Sequence, residues 1–333
     1  MPQLTEIRYN PSNSFFHSEI HFLPSIIRQN KEKNQKWRKI ELILRQNIVF
    51  HFCHGIFRYF CKPIEIVMKQ QNIRLIIVPD IHGRPFWKEV FDFDAEVVFL
   101  GDYLDPYQSE GIYPWDALDN FIHIITFAKA NPKVHLLLGN HDLGYSIGRH
   151  ICSNRCDYEN YDNIRSKFRE NDNLFQMAFG CSVNGRRFFV SHAGISSGWY
   201  EQHRDIFPYS YEETLNADYI NGLYREGKLQ KVLGEIGAGR GGRCPYGSMI
   251  WADIHEMTDP IQKRLTDIIQ IVGHTQVVSG PINLEQECNL YDVDARQCVY
   301  IDDEGQLRLL QDGKPLQCSP GRNQHSVTNE EHV

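Results

Sequence analysis

Five times between residues 75 and 276 a short apolar run stops and gives way to a cluster of aspartate, asparagine or histidine. The runs are Leu75–Val78, Val97–Leu100, Val134–Leu138, Phe188–Val190 and Ile269–Val272. Each is apolar, save for His135 and Gln270, and too short for a buried helix, so each reads as a strand. The clusters are Asp80-Ile81-His82-Gly83, Gly101-Asp102-Tyr103-Leu104-Asp105, Gly139-Asn140-His141-Asp142, Ser191-His192-Ala193-Gly194 and Gly273-His274-Thr275-Gln276. The carboxyl ends of strands are where open α/β sheets place their ligands. Between the second and third strands, Leu118, Phe121, Ile122, Ile125 and Ala128 keep helical spacing until Asn131-Pro132 ends the run. A strand–helix–strand crossover follows, and with it an α/β fold.

The rest of the chain is less constraining. A short helix is expected over 85–90 and a longer one over 158–179, with Ile164, Phe168, Leu174, Phe175 and Ala178 inward. Residues 199–235 are mixed and helical, and suit a cap or a substrate wall. Gly237-Ala238-Gly239-Arg240-Gly241-Gly242-Arg243 is a loop that could carry guanidinium donors to a phosphate. Closing strands are expected over 289–293, 298–301 and 307–310.

One domain, 68–315, therefore holds the clusters, with the helical insertion at about 199–235 inside it. Residues 1–67 differ in character and read as an extension of doubtful structure, with Met68 as an alternative start. Residues 316–333 are polar and are expected to be disordered. Charge follows the same division. Residues 1–67 carry 10 Lys+Arg against 5 Asp+Glu, and the remaining 266 hold 25 against 37, so a net +5 precedes a net -12. An acidic body gives no support for nucleic-acid or membrane binding. Nine scattered cysteines, an odd number without a C-x-x-C pair, fit a reduced, cytoplasmic setting.

Asp80, His82, Asp102, Asn140, His192 and His274 form an oxygen- and imidazole-rich set without cysteine, which suits manganese best, with iron or zinc as alternatives. Six ligands exceed the needs of one tetrahedral ion and match two divalent ions sharing a carboxylate. Asp105 and His141 remain, and a carboxylate holding a histidine is the arrangement of a general acid.

In order and wording, these five motifs resemble the calcineurin-like metallophosphoesterases, closest to the serine/threonine protein phosphatase branch and its bacterial relatives. Gly247-Ser248-Met249-Ile250-Trp251-Ala252-Asp253 resembles a further segment of that branch. The resemblance, over about 74–310, implies two mixed β-sheets packed face to face and flanked by helices. It implies that Asp80, His82 and Asp102 bind one ion, and that Asp102, bridging, binds the other with Asn140, His192 and His274. His141, oriented by Asp105, would be the acid in a phosphatase whose metal-bridging hydroxide attacks a phosphate monoester in line. Its substrate would be a phosphoprotein or a small phosphate ester.

The chain also departs from that branch. Asp105-Pro106-Tyr107 stands where the branch has Asp-Arg-Gly, so the phosphate grip passes to Arg84, Arg240 or Arg243. Asp142 stands where the protein phosphatases carry Glu, and His192-Ala193-Gly194 resembles the bacterial dinucleotide polyphosphate hydrolases. The alternatives are therefore a nucleotide or dinucleotide polyphosphate hydrolase, or a phosphodiesterase, on the same site. A silent scaffold is the third reading, and it has no use for the Asp105–His141 pair.

Overall fold

The computed structural model describes residues 73–148, 153–259 and 266–318. The 1–67 extension, the Met68 start and the tail beyond 318 lie outside the described residues. Twelve strands are described: β1 (Ile73–Val78), β2 (Glu96–Phe99), β3 (Val134–Leu137), β4 (Phe175–Gln176), β5 (Ala178–Val183), β6 (Arg186–Ser191), β7 (Ile268–Val272), β8 (Ile282–Asn283), β9 (Leu290–Asp292), β10 (Val299–Asp302), β11 (Leu307–Leu309) and β12 (Gln317–Cys318). They form two six-stranded sheets, ordered β11-β10-β1-β2-β3-β4 and β12-β8-β9-β7-β6-β5. Both sheets are mixed. β1, β2 and β3 run parallel, as do β6, β7 and β9, whereas β10 pairs antiparallel with β1 and β5 with β6.

Strand parity explains why the sheets stack. Leu75 and Ile77 of β1 and Val98 of β2 meet Phe188, Val190, Ile269 and Ile271 of the other sheet in one buried cluster. Their neighbours Ile76, Val78, Val97 and Phe99 point the opposite way, into a core shared with Phe121 and Ile124. Those two belong to α1 (Pro114–Ala130), the crossover helix. A strand covered on both faces must be apolar throughout, hence the unbroken run Leu75–Val78.

Further helices are α2 (Asn140–Ser146), α3 (Tyr161–Glu170), α4 (Ser197–Gln202), α5 (Tyr211–Thr214) and α6 (Ala217–Arg225). α2 grows directly from the third cluster. α5 and α6 lie within the stretch read as a helical insertion, and α4 runs into it from Ser197. No described helix is long and apolar enough to cross a membrane.

Three expectations need correction. The helix anticipated over 158–179 ends at Glu170, and Phe175–Gln176 and Ala178–Val183 are strands. Asn171 stops the helix, its side-chain Nδ2 donating to the Lys167 carbonyl at 2.6 Å. Phe175 then pairs with Leu136, and β5 pairs with β6 along its whole length. Apolar residues that fit a helical period were instead captured by two sheet edges. The short helix over 85–90 is a 3-10 helix, Phe86–Asp92. The tail begins with Gln317–Cys318 paired in parallel with β8 rather than disordered from 316.

Candidate metal centre

Because β1, β2 and β3 are parallel, the clusters that follow them emerge at one edge, and the same holds for β6 and β7 in the second sheet. The backbone then turns sharply. His82, Asp102, Asp105 and His274 have φ of 42, 50, 55 and 67°, in the left-handed region that non-glycine residues rarely enter. Each such residue costs about 1–3 kcal/mol. Hydrogen bonds between the turns offset that cost. His82 N donates to Asp102 O at 2.6 Å, and Gly273 N to His192 O at 2.7 Å. Asp142, fully buried, accepts from the amides of Asp102 (2.7 Å), Tyr103 (3.1 Å) and Gly139 (2.9 Å). It ties the second cluster to the third. Burial pushes its carboxyl up to about 7 against the pull of those three donors.

The six expected ligands and His141 converge, none more than 3% exposed. His82 Nε2 lies 3.5 Å and His192 Nε2 3.6 Å from Asp102 Oδ2. His192 Nε2 also lies 2.9 Å from Asn140 Oδ1 and 3.3 Å from His274 Nδ1. Asp80 accepts from His274 N at 3.2 Å, with one oxygen 3.9 Å from His192 Nδ1. The Nδ1 atoms of His82 and His192 face the carbonyls of Leu104 and Leu100 at 2.8 and 3.0 Å. Those contacts fix the rings and aim each Nε2 inward, as outer-shell partners of metal-binding histidines do.

Among the described residues, two groups have ligand atoms all within 4.8 Å of one another: His82, Asp102 and His141, and Asp102, His192 and His274. Asp102 belongs to both. The surroundings fit divalent ions. Buried carboxylates among imidazoles need a cation, and the backbone closes tightly behind them. A Cβ added at Gly139 would fall 2.1 Å from Asp102 Oδ1, and one at Gly273 would fall 2.4 Å from Asp80 Oδ1.

His141 Nδ1 lies 2.8 Å from Asp105 Oδ2. Asp105 also accepts from Ser153 Oγ at 2.8 Å and from the Tyr145 hydroxyl. Burial alone would raise the Asp105 carboxyl, but His141, Tyr145 and Ser153 together hold it below the usual carboxylate range. On its other side, His141 Nε2 lies 2.9 Å from Arg155 Nη2. The Arg155 guanidinium sits over the Tyr107 ring, 3.6 Å from its centroid.

Arg155 was not among the arginines expected to grip phosphate. Those three are placed differently. Arg84 forks onto Glu110 at 2.6 and 2.8 Å, and Arg240 Nε lies 2.9 Å from Asp253. Arg240 also donates to Thr275, beside His274. Arg243 is exposed. Tyr107, standing near where the branch has its arginine, instead carries Arg155 on its ring and accepts from Gln276.

A family model described as calcineurin-like phosphoesterase matches residues 73–278, which take in all five clusters. A stretch of 145 residues is 28% identical to a protein of Encephalitozoon cuniculi (strain GB-M1) named "Probable serine/threonine-protein phosphatase". That alignment covers 39% of this chain and 28% of the relative, so the chain spans under a third of the relative's length.

Proposed function

The chain belongs to the calcineurin-like phosphoesterase family of metal-dependent hydrolases, and from that premise we propose that it hydrolyses phosphate monoesters with His141 as general acid. The observation carrying this reading is that Asp102 is shared between two groups of buried ligand atoms. Asp80, His82 and Asp102 would hold one divalent ion, and Asp102, Asn140, His192 and His274 the other. Carboxylate, carbonyl and imidazole donors suit manganese, with iron or zinc as alternatives. When bound, such a pair supplies a nucleophile at neutral pH and clamps the phosphoryl oxygens.

The chain's own residues do the rest. Arginine only donates, so in this arrangement His141 Nε2 accepts from Arg155 while Nδ1–H donates to Asp105. A phosphoryl oxygen can take over the Arg155 donor and leave Nε2 facing the leaving oxygen. Nε2, once freed, takes up a proton from solvent; the ionised Asp105 carboxylate stabilises the imidazolium that results, and Nε2 then gives that proton to the departing group. Tyr107 keeps the guanidinium from swinging away.

The test is hydrolysis of an aryl phosphate by protein stripped of metal with a chelator. Turnover is expected to vanish and to return on addition of Mn2+. Equal turnover with and without metal would refute the proposal. Arg155→Ala is expected to lower kcat/KM by about 10²-fold, the scale for losing one donor to developing negative charge. Arg155→Lys should recover only part of this, since an ammonium lacks the fork. Steady-state kinetics that leave Arg155→Ala within twofold of wild type would remove Arg155 from the site.

A further inference from the structure

Asp105 and Arg155 also line a cavity of about 690 Å³ that the proposed chemistry leaves unused. Its walls are residues of 104–117 and 154–157. Leu104, Pro106, Ile112 and Tyr113 supply apolar surface, and the exposed residues Gln108 and Asn154 bring amide groups. Pockets for small organic ligands span roughly 300–1,000 Å³, so this one holds far more than a phosphoryl group. Tyr113 is also stacked on Trp115, with centroids 4.5 Å apart and planes within 7°. Both rings are more than half exposed, at 56% and 61%. Large rings left in water at the border of a cavity mark a binding surface.

The direction of the reaction gives the cavity its occupant. A general acid must reach the leaving oxygen, so the organic half of the ester departs on the His141 side. His141 touches Asp105 and Arg155, and both of these line the cavity. We infer that the cavity receives the organic half of the substrate, a planar heterocycle of nucleoside size that packs on Tyr113 and meets Gln108 and Asn154 at its polar edge. This rests on the phosphomonoesterase reading, which sets the side of departure. A phenol ring would use the apolar wall alone and fill little of the volume. An alkyl side chain such as that of phosphoserine would use neither.

Calorimetric titration of the full chain with adenosine, uridine and ribose isolates the base and needs neither phosphate nor turnover. At least one nucleoside is expected to bind about tenfold or more tightly than ribose, the usual scale of base–aromatic stacking. Tyr113→Ala should remove most of that difference, and Tyr113→Phe should keep it. The matching nucleoside 5′-monophosphate should exceed ribose 5-phosphate in kcat/KM by a similar factor, although the two share one scissile bond. If neither nucleoside binds more tightly than ribose, the inference is overturned, even where both phosphates are hydrolysed and the phosphatase reading stands. Preferential nucleoside binding without hydrolysis of either phosphate would uphold the cavity's ligand and count against the phosphatase reading instead.

Discussion

Asp102→Asn is expected to lower kcat/KM on an aryl phosphate by about 10³-fold or more, because it removes the one charge that both ligand groups share. The substitution keeps the side chain's shape. It puts an amide where Oδ2 faces His82 and His192 at 3.5 and 3.6 Å, while Oδ1 accepts from His141 N at 2.9 Å. One of those two positions must therefore become an NH2 group, which donates and binds no cation. Metal analysis of the purified variant should fall from about two ions per chain toward one or none. Circular dichroism alongside it separates loss of metal from loss of fold. A variant that keeps both its metal and its turnover would exclude Asp102 as the bridge.

His141→Asn is expected to separate two roles that the geometry offers the same ring. Nδ1 is engaged by Asp105, yet His141 also falls within one of the close ligand groups, with His82 and Asp102. An acid and a ligand fail in different ways. Loss of a general acid costs about 10²–10⁴-fold, and the cost depends on how much the leaving oxygen needs a proton. The variant should therefore lose nearly all activity on an alkyl phosphate and much less on a p-nitrophenyl ester, with metal content unchanged. Equal losses on both esters, together with lost metal, would make His141 a ligand instead.

The centre was legible because its groups are local in the chain. Asp80 and His82, Asp102 and Asp105, and Asn140 and His141 each sit within three residues of one another, directly after a strand. Parallel pairing then does the assembling, and a crossover helix announces parallel pairing. Arg155 shows the opposite case. It follows His141 by 14 positions in a stretch with no period, and only the folded chain brings it to Nε2, with its guanidinium over the Tyr107 ring. Asp142 was read as a variant of a family residue, and its work as an acceptor for three amides from two clusters needs the folded turns. Arg84 and Arg240 carried the right charge, but Glu110 and Asp253, distant in sequence, engage them. The helix expected over 158–179 failed for a related reason, since β3 and β6 supply pairing partners that no local period records.

The two sheets meet at this edge, with Asp80, Asp102 and Asn140 following strands of one and His192 and His274 following strands of the other. Ions seated among them would act as a rivet through both plates of the sandwich. Uptake of metal and retention of the fold then become one linked equilibrium, worth about 2.7 kcal/mol when free metal stands at a hundredfold its Kd. Starvation for metal would cost the chain part of its hold on its own shape along with its chemistry, so that idle, empty molecules are also the ones most readily cleared.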